Sequence, residues 1–391
     1  MKILFLISVM GHGRGGHAHS LDHISRQLIK SVDAKIIAIG PGDSPILRKN
    51  PIFAGHFHFT GLNIFKLQKK LKQFINQYQP DVLHFFDAVA YNIVRILINT
   101  EKYKIIVNKC GGPNPKHYPY VKNLVLFSQE NLAWFQKQSK YIKTNIHLIP
   151  NRVKTLTADK TFQPINKCSD QFVFMRICRI GAGYKKSIMD SINLIEILKT
   201  SKISNVKLYV IGVVEDIDFY RSLESHPLVK DNLVVVLSDS VYTIDASKML
   251  YLADAVIGTG RGLMEAASLG IPLLVINSAG EMPVLLTRDN FYDAFKTNFS
   301  ERNIFEKFSN EVNLQNITSL IKDKIFYKDN SRFSKEMFDT YFNIEKAEEA
   351  YKKVYENAER GGGNSPIMDA PIITKNLLNT YRYYLKSKKV R

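Results

Sequence analysis

The chain has 391 residues, 45% of them hydrophobic and 23% charged. That balance excludes a disordered or fibrous chain, and the length predicts two domains at about 100–200 residues each. Fifty-four Lys and Arg against 36 Asp and Glu give a net charge of +18, which points to an anionic substrate or surface or simply to solubility; Cys110, Cys168 and Cys178 lie in no metal or disulfide spacing, as expected of a reducing compartment.

The opening run MKILFLISVM is short, has one lysine before it and is followed by GHGRGGH. It reads as a first strand, not as a signal peptide. An amphipathic helix follows, with Leu21, Ile24, Leu28 and Ile29 on one face. KIIAI, DVLHFF, KIIVNKC and NLVLFS then alternate with helical stretches such as IFKLQKKLKQFINQY and AVAYNIVRILIN. Continuous apolar strands alternating with helices predict a parallel sheet covered on both faces. After IHLIPNRV the polar stretch KTLTADKTFQPINKCSD breaks the pattern. It restarts with QFVFMRI, a helix over SIMDSINLIEILK, VKLYVI, LVVVL, DAVI, a helix over LMEAASLG, and IPLLVI. From about residue 310 the chain reads as helical, ERGGGNSPIMDAP as a flexible break and NLLNTYRYYLKSKKVR as a basic, aromatic tail. The expected domains are 1–155, 156–345 and a helical extension over 346–391. The fold class is α/β, with two Rossmann-like doubly wound domains facing a central cleft, where ligands of such sheets bind at the carboxyl edge. No run approaches the ~18 apolar residues of a membrane span. The expected location is cytoplasmic, at most peripheral to a membrane. Without zinc-finger spacing, a basic heptad region or an RNP-like strand, nucleic acid is not an expected partner.

Three loops carry charge or glycine where ligands would bind. In MGHGRGGHAHS, Gly15, Gly16 and His17 lie between the first strand and its helix, where free amides and the helix dipole favour an anion; a plain glycine-rich turn is the competing reading. In RICRIGAGYKKS, Arg179, Lys185 and Lys186 stand at a helix start, a pattern suited to a diphosphate and also to exposed solubilising charge. In GTGRGLMEAASLG, the amides of Gly260, Gly262 and Leu263 and the side chain of Arg261 are expected to face phosphate. Glu265, expected in the first turn of a helix from Leu263, suits either a capping charge or two ribose hydroxyls, since a carboxylate accepts twice.

In this order the motifs resemble the nucleotide-sugar glycosyltransferases of the GT-B fold, specifically the retaining family 4-like group. The glycine loop GRGGHAHSL, the IPNRV segment with Asn151, Arg152 and Val153, Arg179 with Lys185 or Lys186, and EAASLGIPLLV with Glu265, Ala266, Gly270 and Pro272 match, over residues 1 to about 290. The resemblance implies transfer of a sugar from a nucleotide-diphosphate donor to an acceptor hydroxyl, with retention and without a metal or cofactor, the nucleotide sugar being substrate. It implies catalytic roles for Arg179, Lys185 and Lys186. Donor contacts fall on Gly15, Gly16, His17, Cys110, Gly111, Arg179, Gly260, Arg261, Gly262, Leu263 and Glu265. Two positions depart from the pattern: Ile257 stands where the family has a second glutamate, and Cys110 where it commonly has a histidine. His84 in DVLHFF reads as a core residue or a cleft residue, and His12 and His17 border the glycine loop. The resemblance further implies a glycan or lipid-linked acceptor in bacterial surface polysaccharide synthesis. FKLQKKLKQF and the tail would then meet an anionic membrane at its inner face, although a solvated helix face explains the former equally. The alternatives are a sugar-nucleotide epimerase or hydrolase on the same scaffold and a degenerate partner subunit that keeps the nucleotide site.

Overall fold

The computed structural model describes residues 1–13, 15–203, 205–305, 309–361, 363 and 365–389. Arg14 of the first glycine loop, Gly362 and Asn364 of the glycine-rich break and the last two residues of the tail lie outside them. The chain divides into two compact units, Met1–Arg152 with Ile344–Arg391, and Val153–Asn343.

The first unit holds seven parallel strands: β1 (Lys2–Ser8), β2 (Asp33–Gly40), β3 (Phe53–His58), β4 (Val82–Phe85), β5 (Lys104–Lys109), β6 (Asn123–Leu126) and β7 (Asn145–Leu148), in the order β3-β2-β1-β4-β5-β6-β7. Alternate residues of β1 serve the two faces: Ile3, Phe5 and Ile7 enter one core, and Leu4 and Leu6 the other. Both faces are covered, so an unbroken apolar run is what the strand requires. Each such side chain contributes about 1.5–3 kcal/mol when fully buried.

The last part of the chain belongs to this unit. Tyr351, Val354 and Tyr355 of the Ala347–Asn357 helix are buried with Ile3, Phe5 and Ile106. The stretch expected as a flexible break is tied down at its described residues. Gly361 N–H donates to Tyr103 O at 2.9 Å, and Arg95 Nη2 donates to buried Asp369 at 2.9 Å.

The second unit holds β8 (Phe172–Ile177), β9 (Val206–Ile211), β10 (Val234–Leu237), β11 (Ala255–Gly258), β12 (Leu273–Val275) and β13 (Val284–Leu285), ordered β10-β9-β8-β11-β12-β13. The last strand alone is antiparallel. In both sheets the order reverses beside the first strand, between β1 and β4 and between β8 and β11. A reversal opens a crevice at the carboxyl ends of the two strands. The segments 9–13, 178–184 and 259–260 leave β1, β8 and β11 at those ends.

Candidate functional site

Three helices begin at these strand ends: Gly16–Leu28 after β1, Lys185–Thr200 after β8 and Arg261–Ser268 after β11. None has a side-chain cap or an acidic residue in its first turn. Asp87, Ser128, Asp216 and Ser309 cap their helices, whereas the Ile64–Tyr78 helix, away from the reversals, likewise lacks a cap. A cap satisfies one of the first amides, and its absence leaves donors and a positive dipole end for something else.

In the first loop, Gly15 is the N-cap and Gly16 opens the helix, both exposed. A Cβ on Gly16 would meet nothing within 4 Å, so the backbone there is open to approach. Gly13 serves packing: its φ is +56°, and a Cβ would lie 2.5 Å from that of Ser44. His17 is half-buried and His12 exposed. Ser20 Oγ donates to Asn151 Oδ1 at 2.7 Å, which ties this helix to the IPNRV segment.

The loop after β5 contributes less than expected. Cys110 Sγ donates to Phe86 O at 3.2 Å, and burial pushes its thiol well above the usual cysteine range. It is a closed, protonated thiol, without the thiolate character that reactivity needs. Gly111 has φ +74°, and Lys109 Nζ braces it by donating to Gly111 O at 2.6 Å and Asn131 Oδ1 at 3.1 Å. His84 is a core residue. It is wholly buried, with Nδ1 2.9 Å from the Tyr355 hydroxyl and Nε2 2.9 Å from Asn108 Oδ1. Asn108 Oδ1 can only accept, so Nε2 carries the proton and Nδ1 accepts from Tyr355. Burial pulls this histidine down to about 4, so it is neutral.

In the second unit the cation cluster divides. Arg179 is exposed, stacked over Tyr184 at 5.1 Å and paired with Glu215 at 2.9 Å. The Lys185 ammonium lies over the Phe219 ring at 5.5 Å. Lys186 reaches the other way, donating to Gly280 O at 2.6 Å and to Asp190 at 2.5 Å. Burial raises the Asp190 carboxyl, and Lys186 opposes that rise.

After β11, Gly260 takes φ +51° and ψ −124°, a conformation that strains other residues. A Cβ on Gly260 or Gly262 would meet nothing within 4 Å. The helix starts at Arg261, two residues before the expected start, so Glu265 lies beyond the first turn and is not a capping charge. Arg261 pairs within its own helix: its Nε and Nη2 donate to Glu265 Oε1 at 2.8 and 2.6 Å. Glu265 is 8% exposed. The Leu263 side chain is core, 1% exposed, so only its amide is available to a ligand. Ile257 is also core.

Sequence reasoning passed over Arg176. It is the penultimate residue of β8 and 1% exposed. The available signal is a lone arginine closing an otherwise apolar strand.

No family model matches the chain, and no curated protein matches it in sequence. Solved structures do. Anabaena Alr3699/HepE in complex with UDP superposes with a TM-score of 0.66 at 16% identity, over 91% of this chain and 100% of that one. A glycosyltransferase of Rickettsia africae ESF-5 gives 0.61 at 14% identity, over 91% and 99%. A Listeria monocytogenes protein proposed to be a UDP-N-acetylglucosamine 2-epimerase gives 0.56 at 11% identity, over 93% and 99%. The chain has the GT-B fold. The fold alone does not select transferase over epimerase; the residues at the strand ends must do that.

Among the described residues no helix is long and apolar enough to cross a membrane.

Proposed function

We propose that this protein is a glycosyltransferase that moves a sugar from a nucleotide diphosphate to an acceptor hydroxyl, with the donor held on the second unit. The observation that carries the reading is the pair of uncapped helix starts at the β8–β11 reversal, with Arg179 and Lys186 at one and a buried Glu265 at the other. Cations at a helix N-terminus are unfavourable alone and become favourable when an anion arrives. Glu265 already has Arg261 on one oxygen, and the carboxylate retains capacity for ribose hydroxyls.

In this scheme the acceptor oxygen bonds to the anomeric carbon as the bond from that carbon to the phosphate oxygen breaks; the diphosphate leaves with the electron pair and takes up the proton of the acceptor hydroxyl. Positive groups aimed at that developing charge usually lower the barrier more than any other single effect in such catalysis. Arg179 exchanges Glu215 for phosphate, at small cost because an exposed ion pair is worth about 0–1 kcal/mol. Lys186 is already braced at the helix start. The family resemblance supports retention of the anomeric configuration and a reaction without metal. UDP is the first nucleotide to test, because Alr3699/HepE was solved with UDP and with UDP-glucose.

The reading extends to a glycan or lipid-linked acceptor of a bacterial surface polysaccharide, met at the inner face of the cell membrane. What supports that extension lies on the first unit. Leu62 and Phe65 are 66% and 85% exposed, beside exposed Lys66, Lys69 and Lys70. Gly61 packs against Tyr381 of the Ala370–Lys389 helix, which exposes Leu378 and Tyr383. Apolar side chains among lysines suit an anionic bilayer surface.

The test is to incubate the purified protein with UDP-hexoses and a panel of hydroxyl acceptors, and to follow UDP release together with the fate of the sugar. UDP release with the sugar on an acceptor supports the proposal. An epimerised nucleotide sugar without transfer would turn the assignment to an epimerase, and binding without any conversion would turn it to a non-catalytic partner.

A further inference from the structure

At the β8–β11 reversal the second unit buries a charge that the donor scheme above leaves unused. Arg176 Nη2 donates to Ser187 Oγ at 2.9 Å, in the first turn of the 185–200 helix. Its Nε has no hydrogen-bond partner. A Cβ built on Gly258 of the adjoining strand would lie 3.7 Å from Nη1, so the guanidinium spans the two strand ends. Glu301, from the segment after the Phe291–Lys296 helix, approaches Nη2 to 3.7 Å through Oε1. That is an ion pair but too long for a hydrogen bond, and Oε1 is itself buried with no donor.

The Glu301 segment is fastened to the candidate site on two sides. Gly260 N–H donates to Phe299 O at 2.7 Å, and Asn303 Nδ2 donates to Ile276 O at 3.1 Å. Glu301 also lies near enough to Asp190, the partner of Lys186, to add to the rise that burial causes there. The carboxylate therefore stands among the proposed diphosphate contacts, separate from Glu265.

A buried arginine without a complete partner is costly, and so is a buried acceptor without a donor. Both deficits sit at one place. A carboxylate repels phosphate and welcomes hydroxyl donors. Next to a diphosphate, the part of a nucleotide sugar rich in hydroxyls is the sugar itself. We infer that Glu301 is a specificity-determining carboxylate of the donor site that accepts hydrogen bonds from hydroxyls of the transferred sugar, with Arg176 as the positioning residue that aims it. With its side chain 35% exposed, Glu301 can meet a ligand on its outer side while Oε1 faces the guanidinium. The inference rests on the nucleotide-sugar reading above.

Calorimetric titration tests it, with UDP, GDP, ADP and CDP and the matching nucleotide hexoses, on wild type, Glu301→Gln and Glu301→Asp. Glu301→Gln keeps the shape and removes the charge. It is expected to bind the preferred nucleoside diphosphate within about twofold of wild type and to lose about tenfold or more for its hexose ester, the scale of a hydrogen bond to a charged group. Glu301→Asp keeps the charge one methylene short and is expected to show the same selective loss, smaller, should the glutamine variant fold poorly. Equal losses for diphosphate and hexose ester, as a merely structural role would give, overturn the inference, and so does no loss for either. Wild type that binds no nucleotide and no nucleotide sugar overturns the donor reading and this inference together.

Discussion

His84 on β4 and Arg176 on β8 are both buried on strands that flank the order reversal of their sheets. Around His84 every partner is in place: Tyr355 and Asn108 hold its two nitrogens at 2.9 Å. Around Arg176 the set is incomplete, with Nε and Glu301 Oε1 unpartnered. A complete neutral network behaves as structure, and this one fastens the 347–357 helix to the first sheet. An incomplete charged one costs stability. The difference separates residues whose loss should unfold the protein from residues whose loss should only silence it.

The sharpest way to break that separation is to remove the cations of the second unit. Arg179→Ala and Lys186→Ala are each expected to lower turnover of the nucleotide sugar by about 10²–10³-fold, the scale of one lost charge-stabilising donor. Lys185→Ala, whose ammonium sits over Phe219, is expected to change it little. Initial rates with thermal melts on the same preparations check both halves.

Acid should act on the first unit through His84. The unfolded histidine takes its proton near 6.5, and the folded one near 4. Between those values the unfolded state binds more protons, so stability falls as pH drops through that window, by about 3 kcal/mol in all. Trp134, the single tryptophan, lies in the Gln129–Gln136 helix of this unit. Its fluorescence in urea titrations should follow the loss, and His84→Gln should flatten it. A smaller change, Tyr355→Phe, removes the donor to His84 Nδ1. It is expected to cost about 1 kcal/mol in the same titration, without altering nucleotide affinity. Weakest of all, Phe65→Glu should reduce sedimentation with phosphatidylglycerol vesicles several-fold, and 0.5 M salt should do the same to wild type.

The strands were legible because most are built on apolar runs, ILFLI in β1, FVFM in β8 and AVI in β11. β3 was not: FAGHFH carries two histidines and a glycine, and its residues are half-buried or exposed, so pairing with β2 makes it a strand. The three loops at the strand ends were legible from glycines and charges. Which cation faces which way was not, because Phe219 and Gly280, far along the chain, decide it. Leu263 reads from the sequence as the first residue of its helix, whereas the helix starts two positions earlier, at Arg261. Glu301 lies 125 positions from Arg176, and no local spacing reveals a pair formed across a sheet edge. The return of the C-terminal segment rests on Tyr355 meeting His84 across 271 positions, which only folding brings together.

The central claim is a nucleotide site on the second unit with Glu265 in it. The most direct measurement is the thermal shift of wild type and Glu265→Ala with UDP and UDP-hexoses. A ligand at a hundred times its dissociation constant stabilises by about 2.7 kcal/mol, a shift easily seen. That shift is expected in wild type, and its loss in a Glu265→Ala protein that still melts cooperatively. An equal shift in both proteins would contradict the role of Glu265, and no shift with any nucleotide would contradict the site.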